Sequence, residues 1–101
     1  MRPVCVLGTG LIGGSLLRAA SRAGRSAWGT AASEGTAAAA VADGFDVTTD
    51  TDAALRRAAE ADALVVIAVP LTALEAVLAR VDAVAPQCRL TDAISVKAAV
   101  A

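Results

Sequence analysis

Histidine and tyrosine are absent from these 101 residues, and tryptophan, phenylalanine and methionine occur once each. Without histidine the chain lacks the side chain used most often as a general base near neutral pH, and no other residue is a convincing replacement. Aromatic residues make up 2%, too few to provide stacking platforms for bases. A net charge of −1, from nine basic and ten acidic residues, leaves no electrostatic footprint for nucleic acid or an anionic membrane. The longest apolar run, Ala63 to Leu71, is about nine residues, against the ~20 that span a bilayer.

Cysteine is nearly as scarce. Cys5 and Cys88 fall inside apparent strand segments and have no metal-ligand spacing, so they read as two buried thiols in a reducing compartment, and no metal is expected. Strand-like sequence begins at Pro3, with no signal peptide ahead of it. The expectation is a soluble, cytoplasmic protein that binds neither nucleic acid nor membrane.

What is present is apolar and patterned. Hydrophobic residues make up 56% and mean hydropathy is +0.63, values of a folding chain, and the length allows one domain spanning residues 1–101. Much of the apolar content is alanine, which fills tight helix–sheet contacts but contributes little burial energy per residue.

Pro3 to Leu7 is a short continuous apolar run, as in a strand covered on both faces. A glycine-rich turn follows, then a helix from about Leu11 to Ala23 with Ile12, Leu16, Ala19, Ala20 and Ala23 as its apolar side. Arg18, Arg22 and Arg25 form its solvated face, and Gly24 closes it. Ser26 to Thr30 is a weaker second strand. Ser33 can cap a helix running to Asp43, with Gly44 as its stop. Phe45 to Thr48 is a third strand, and Asp50 or Thr51 caps a helix from about Asp52 to Glu60.

The clearest strand is Ala63 to Val69, stopped by Pro70. Thr72 and Glu75 then have capping-box spacing, opening a helix that buries Leu74, Val77, Leu78 and Val81 until Pro86 ends the stretch. Arg89 to Asp92 is a fifth strand. Strands alternating with helices at this spacing predict an α/β fold, a Rossmann-type doubly wound parallel sheet, truncated after about five strands.

Gly8-Thr9-Gly10-Leu11-Ile12-Gly13 carries the chemistry. Gly-x-Gly-x-x-Gly alone is weak evidence; directly after a buried strand and opening an amphipathic helix, it predicts a dinucleotide site. Gly8 allows the tight turn, Gly10 lets backbone approach a pyrophosphate, and Gly13 permits close helix–strand packing. The free N–H groups of the helix start offer partial positive charge to the diphosphate. Gly14, costly inside a helix, suggests backbone contact on its side as well. The alternative is a glycine turn that binds nothing.

An NAD site normally has an acid at the end of the second strand, ~20 residues on. Here Thr30-Ala31-Ala32-Ser33 stands in its place. With no carboxylate to repel a 2′-phosphate, Thr30 and Ser33 could donate to one. No arginine follows, but NADP is favoured over NAD, and NAD stays possible. This placement puts Trp28 near the adenosine end of the site. Val69 and Pro70 lie at the carboxyl end of the sheet, either as a loop over the nicotinamide ribose or as a plain strand stop.

With Thr91-Asp92-Ala93-Ile94-Ser95-Val96-Lys97 a family resemblance emerges. Gly8 to Leu16, Ala68-Val69-Pro70 and this last segment resemble, at matching intervals over nearly the whole chain, the motifs of prephenate and arogenate dehydrogenases of tyrosine biosynthesis. Ser-Val-Lys is the most discriminating of them. The resemblance implies oxidative decarboxylation of a cyclohexadienol, with hydride passing to the nicotinamide and a histidine accepting the hydroxyl proton. It further implies that Ser95 lies beside that histidine and the ring hydroxyl; Asp92 and Lys97 read as structural. From the residues alone, Ser95 would be a helix N-cap.

The family's histidine, its substrate-binding arginine and its helical catalytic and dimerisation domain have no counterpart in the chain. It is therefore expected to be an inactive fragment that meets prephenate or arogenate only with that further domain. Three other readings stay open. One is a non-catalytic nucleotide-binding module. Another is a reductase with a similar loop, such as a deazaflavin-dependent NADP reductase, against which Ser-Val-Lys argues. The third is a Rossmann-like methyltransferase, whose glycine spacing differs.

Overall fold

Alternation along the first strand divides the molecule into two apolar layers. Cys5 and Leu7 point to one face of the sheet and Val4 and Val6 to the other, and all four are buried. The computed structural model describes residues 3–8, 11–69 and 71–92, with only the backbone of residues 11–13, 71 and 92. Among the described residues nine elements follow one another: β1 (Val4–Leu7), α1 (Leu11–Arg22), β2 (Ala27–Thr30), α2 (Glu34–Ala42), β3 (Val47–Thr48), α3 (Thr51–Ala61), β4 (Leu64–Ile67), α4 (Leu71–Val84) and β5 (Leu90–Asp92). All pairings are parallel, in the order β3-β2-β1-β4-β5. This is the expected doubly wound α/β sheet of five strands.

Helices cover both faces, as parallel strands joined by crossovers require. Leu17 and Ala20 of α1 and Ala37 of α2 pack with Val4, Val6 and Val66. On the opposite face, Ala54, Leu55 and Ala58 of α3 and Val81 of α4 pack with Cys5, Leu7, Trp28, Val65 and Ile67.

Local chemistry sets the helix ends. Ser33 caps α2, its hydroxyl accepting the Thr36 N–H at 3.2 Å, and Asp50 caps α3, accepting the Ala53 N–H at 3.1 Å. Helices α1 and α2 close alike. The Arg25 and Phe45 amides reach back to the carbonyls of Ala20 and Ala40, with Gly24 and Gly44 supplying the positive φ between them.

Several expectations need correction. Leu17, not Leu16, is the deep leucine of α1, and Ala19 and Ala23 are exposed. Thr72 lies inside α4, which starts at Leu71, so it cannot be the cap of a Thr-x-x-Glu box. Leu78 is 37% exposed and lies outside the buried side of α4. Cys88 is half-buried and precedes β5, so only Cys5 is a fully buried strand thiol. Strands are shorter than their apolar runs because a ladder lasts only as long as both partners stay extended. Phe45 and Asp46 thus precede β3, and Ala63, Ala68 and Val69 flank β4.

Candidate functional site

Three strand ends converge on Gly8. The chain leaves β1 there with φ +94°, a conformation costly for any residue with a side chain. On one side its N–H donates to both the carbonyl and the hydroxyl oxygen of Thr30, at 3.1 Å each. On the other, a Cβ at Gly8 would lie 2.9 Å from the Ala68 carbonyl oxygen and 2.9 Å from Val69 Cγ1. The Leu7 carbonyl in turn accepts the Ala68 N–H at 2.8 Å. Gly8 is thus wedged between the ends of β2 and β4, and at this position only glycine fits.

The strand order gives this convergence its meaning. From β1 the chain winds outward through β2 and β3, then returns to the other side of β1 through β4. Ligands of open parallel sheets lie outside the carboxyl ends of the strands at such a reversal. Helix α1 starts there, at Leu11, and its first turn holds no acid, whereas Glu34 and Asp52 occupy the first turns of α2 and α3. The positive end of α1 therefore has no carboxylate of its own to offset it. A turn whose first residue can only be glycine, a helix start with no acid in its first turn and the reversal of strand order together suit a diphosphate.

Most of the expected contact residues can be placed. Gly8 forms the turn, the backbone of Leu11, Ile12 and Gly13 forms the first turn of α1, and Val69 is half-buried against Gly8. Thr9, Gly10, Pro70 and Ser95 lie outside the described residues. Among the described residues, nothing beyond its chain neighbours and its own helix backbone comes within 4 Å of a Cβ built on Gly14, so no described partner makes the close contact expected there.

At the end of β2, Thr30 is 5% exposed and Ala31 is buried too, while Ser33 is exposed and serves as the α2 cap. No carboxylate lies on this strand end. The nearest, Glu34, is an exposed residue of the first turn of α2.

Trp28 is not at a ligand surface. It is buried beneath α3, its indole N–H donating to the Ala54 carbonyl at 3.1 Å, with the Arg57 guanidinium 4.1 Å over its ring. Arg57 also pairs with Asp46. Placing Trp28 by its distance from the strand end ignored which face it takes: it shares a face with Cys5, its partner in the β1–β2 register.

The Thr30–Gly8 bond also escaped the sequence. Its only sequence signal is the equal length of β1 and β2, which brings Thr30 level with Leu7.

No other described feature competes for chemistry. Among the described residues no group of three or more His, Cys, Asp or Glu side chains could hold a metal ion, and no helix is long and apolar enough to cross a membrane. An open groove runs beside Leu78, Val81, Asp82, Pro86 and Cys88. Pro86 and Cys88 precede β5, so the groove sits toward the opposite end of the sheet from Gly8.

Comparison with known proteins agrees with this geometry. The family model described as "NADP oxidoreductase coenzyme F420-dependent" matches residues 3–95. A solved structure from Corynebacterium glutamicum, whose protein carries the provisional name prephenate dehydrogenase, is similar at 52% identity and a TM-score of 0.85. The match covers 90% of this chain and 29% of that one. No curated protein matches. Family and geometry concur on a nicotinamide dinucleotide as the group this domain holds.

Proposed function

The chain belongs to the family of NADP oxidoreductases described as coenzyme F420-dependent, and from that premise we propose that it is the cofactor domain of a prephenate or arogenate dehydrogenase. The observation that carries this reading is the 52% identity to the Corynebacterium glutamicum protein over 90% of the chain. The Thr91-Asp92-x-x-Ser95-Val96-Lys97 segment adds to it. The work of this domain is to seat the dinucleotide at the glycine turn, with the α1 start facing the diphosphate and Val69-Pro70 beside the nicotinamide ribose. When bound, the cofactor supplies the hydride acceptor.

Ser95 is the residue proposed to orient the substrate hydroxyl toward a base. The chain has no histidine to act as that base, so it does not turn over by itself. The match spans 29% of the relative's length, and the choice between prephenate and arogenate is proposed to rest with a further catalytic and dimerisation domain.

NADP is the proposed cofactor, because the end of β2 carries no acid to repel a 2′-phosphate and Ser33 stands exposed beside it. A second reading, the cofactor domain of a deazaflavin-dependent NADP reductase, is favoured by the family's description alone. Both readings share the NADP site, and only the first accounts for Ser-Val-Lys and for the identity to the Corynebacterium protein.

Calorimetric titration of the chain with NADP⁺ and NAD⁺ tests the cofactor, with tighter NADP⁺ binding expected; tighter NAD⁺ would overturn the preference. Steady-state assays with prephenate and arogenate should show no nucleotide reduction by this chain. Turnover would overturn the reading of an incomplete enzyme.

A further inference from the structure

Thr30 is the one polar side chain in the buried core of the described residues. The Gly8 N–H already has a partner in the Thr30 carbonyl, at 3.1 Å, which continues the β1–β2 ladder by one bond. The hydroxyl adds a second acceptor at the same distance. Valine would fill the same space in a strand without bringing a polar atom into the core. The hydroxyl is instead aimed at the first residue of the glycine turn. Gly8 has no side chain by which it could be held, and its φ of +94° turns the chain away from the sheet. From the β2 side, its N–H is the only handle.

We infer that Thr30 is a positioning residue: by accepting the Gly8 N–H, its hydroxyl fixes the turn that receives the diphosphate, and so sets affinity for either dinucleotide alike. This rests on the dinucleotide reading of the site. It changes the role expected for Thr30 from a donor to the 2′-phosphate to an anchor of the loop. Having accepted from Gly8, the hydroxyl keeps its own proton to donate. An acid at this position would supply acceptors too, but it would bring a buried charge beside the start of α1.

The test compares Thr30→Val, which removes the hydroxyl at constant shape, with Thr30→Ser, which keeps it. Affinities for NADP⁺ and NAD⁺ are measured by calorimetry, and exchange of the Gly8 amide proton by NMR in the cofactor-free chain. Thr30→Val should weaken both dinucleotides by the same factor, about 3- to 10-fold for one lost hydrogen bond. The NADP⁺/NAD⁺ ratio should hold, Gly8 should exchange faster, and Thr30→Ser should restore all three. Thr30→Ala, whose hydroxyl is also gone, replaces the valine variant if that one does not fold.

Loss confined to NADP⁺ would overturn the inference and make Thr30 a direct 2′-phosphate contact. Unchanged affinities with unchanged Gly8 exchange would overturn it as well. If the unsubstituted chain bound neither dinucleotide, the reading of the site would fail instead, and Gly8 exchange alone would judge the hold of Thr30 on the turn.

Discussion

Gly8 and Cys5, three residues apart in sequence, show how differently single side chains can be constrained. At Gly8 both the backbone conformation and the space forbid a methyl group, since the nearest obstacle is a carbonyl oxygen that cannot swing aside. Gly8→Ala should cost about 1–3 kcal/mol from the left-handed conformation alone, more with the clash, and should abolish dinucleotide binding; urea unfolding and calorimetry read the two effects. At Cys5 the constraint is on charge. Burial, with a smaller push from Cys88, raises its thiol pKa from 9.0 to about 12, against the opposing pulls of the Trp28 hydrogen bond and Arg57. The thiol is therefore easier to ionise in the unfolded chain than in the folded one. Its contribution to stability is complete below pH 9 and is lost as pH climbs toward 12, by up to about 1.4 kcal/mol per pH unit. With no tyrosine and a single lysine in the sequence, few other groups obscure this alkaline limb. Urea midpoints from pH 8 to 11 should fall for the native chain and flatten in Cys5→Ala. In the folded protein, alkylating reagents should modify the half-buried Cys88 well before Cys5.

Between elements, the ion pair that joins α3 to α4 is exposed, and its effect should be modest. Arg80 of α4 grips Asp52 of α3 through two hydrogen bonds of 2.9 and 2.6 Å, and this pairing holds the Asp52 carboxyl below its ordinary pKa. Both partners remain in solvent. Asp52→Asn should accordingly lower the melting temperature slightly. The difference from the native chain should vanish in high salt, and also in acid as pH falls through the depressed pKa and the native carboxyl gains its proton. Melting curves at two ionic strengths and across pH 2–7 check both. Elements were also the most legible feature of the sequence. Apolar runs bounded by Gly, Pro, Ser and Asp marked every strand and helix, because caps and breakers act locally. Contacts across elements were less so. Leu17 and Leu16 are equally apolar, and only the angle at which α1 lies on the sheet decides which one is buried. The cap expected at Thr72 failed for a related reason: α4 starts at Leu71, two residues before the Ala73 start that such a cap implies, and local spacing gave no warning. The glycine turn was legible because a positive φ restricts residue type. The grip of Thr30 upon it was not, since a threonine near a strand end ordinarily signifies nothing more than strand propensity.

At the scale of the whole molecule, stability is shared between two thin layers on either side of one sheet. Each is built largely from alanine and valine, with few large side chains that are fully enclosed. Leu17 anchors one layer and Leu55 the other, at 1% and 0% exposure. Truncating either to alanine should cost about 2–5 kcal/mol, a large part of the 5–15 kcal/mol typical of a domain. Because the sheet separates the two sites, their losses should add in the double variant, as denaturant titration of all three chains would reveal. The same sheet carries a consequence for the life history of the protein. Val4 meets Ala27 of β2 within one short crossover, but on its other side it meets Leu64, after two further strands and three helices have been laid down. Closing that long loop costs more entropy than closing the short one, so β1–β2 pairing should precede β1–β4 pairing along the favoured route. The crevice at the reversal exists only after the second pairing. A chain still assembling has nothing for a nucleotide to hold, and a bound nucleotide acts afterwards as a latch: it lengthens the lifetime of finished molecules and leaves the speed of their making unchanged.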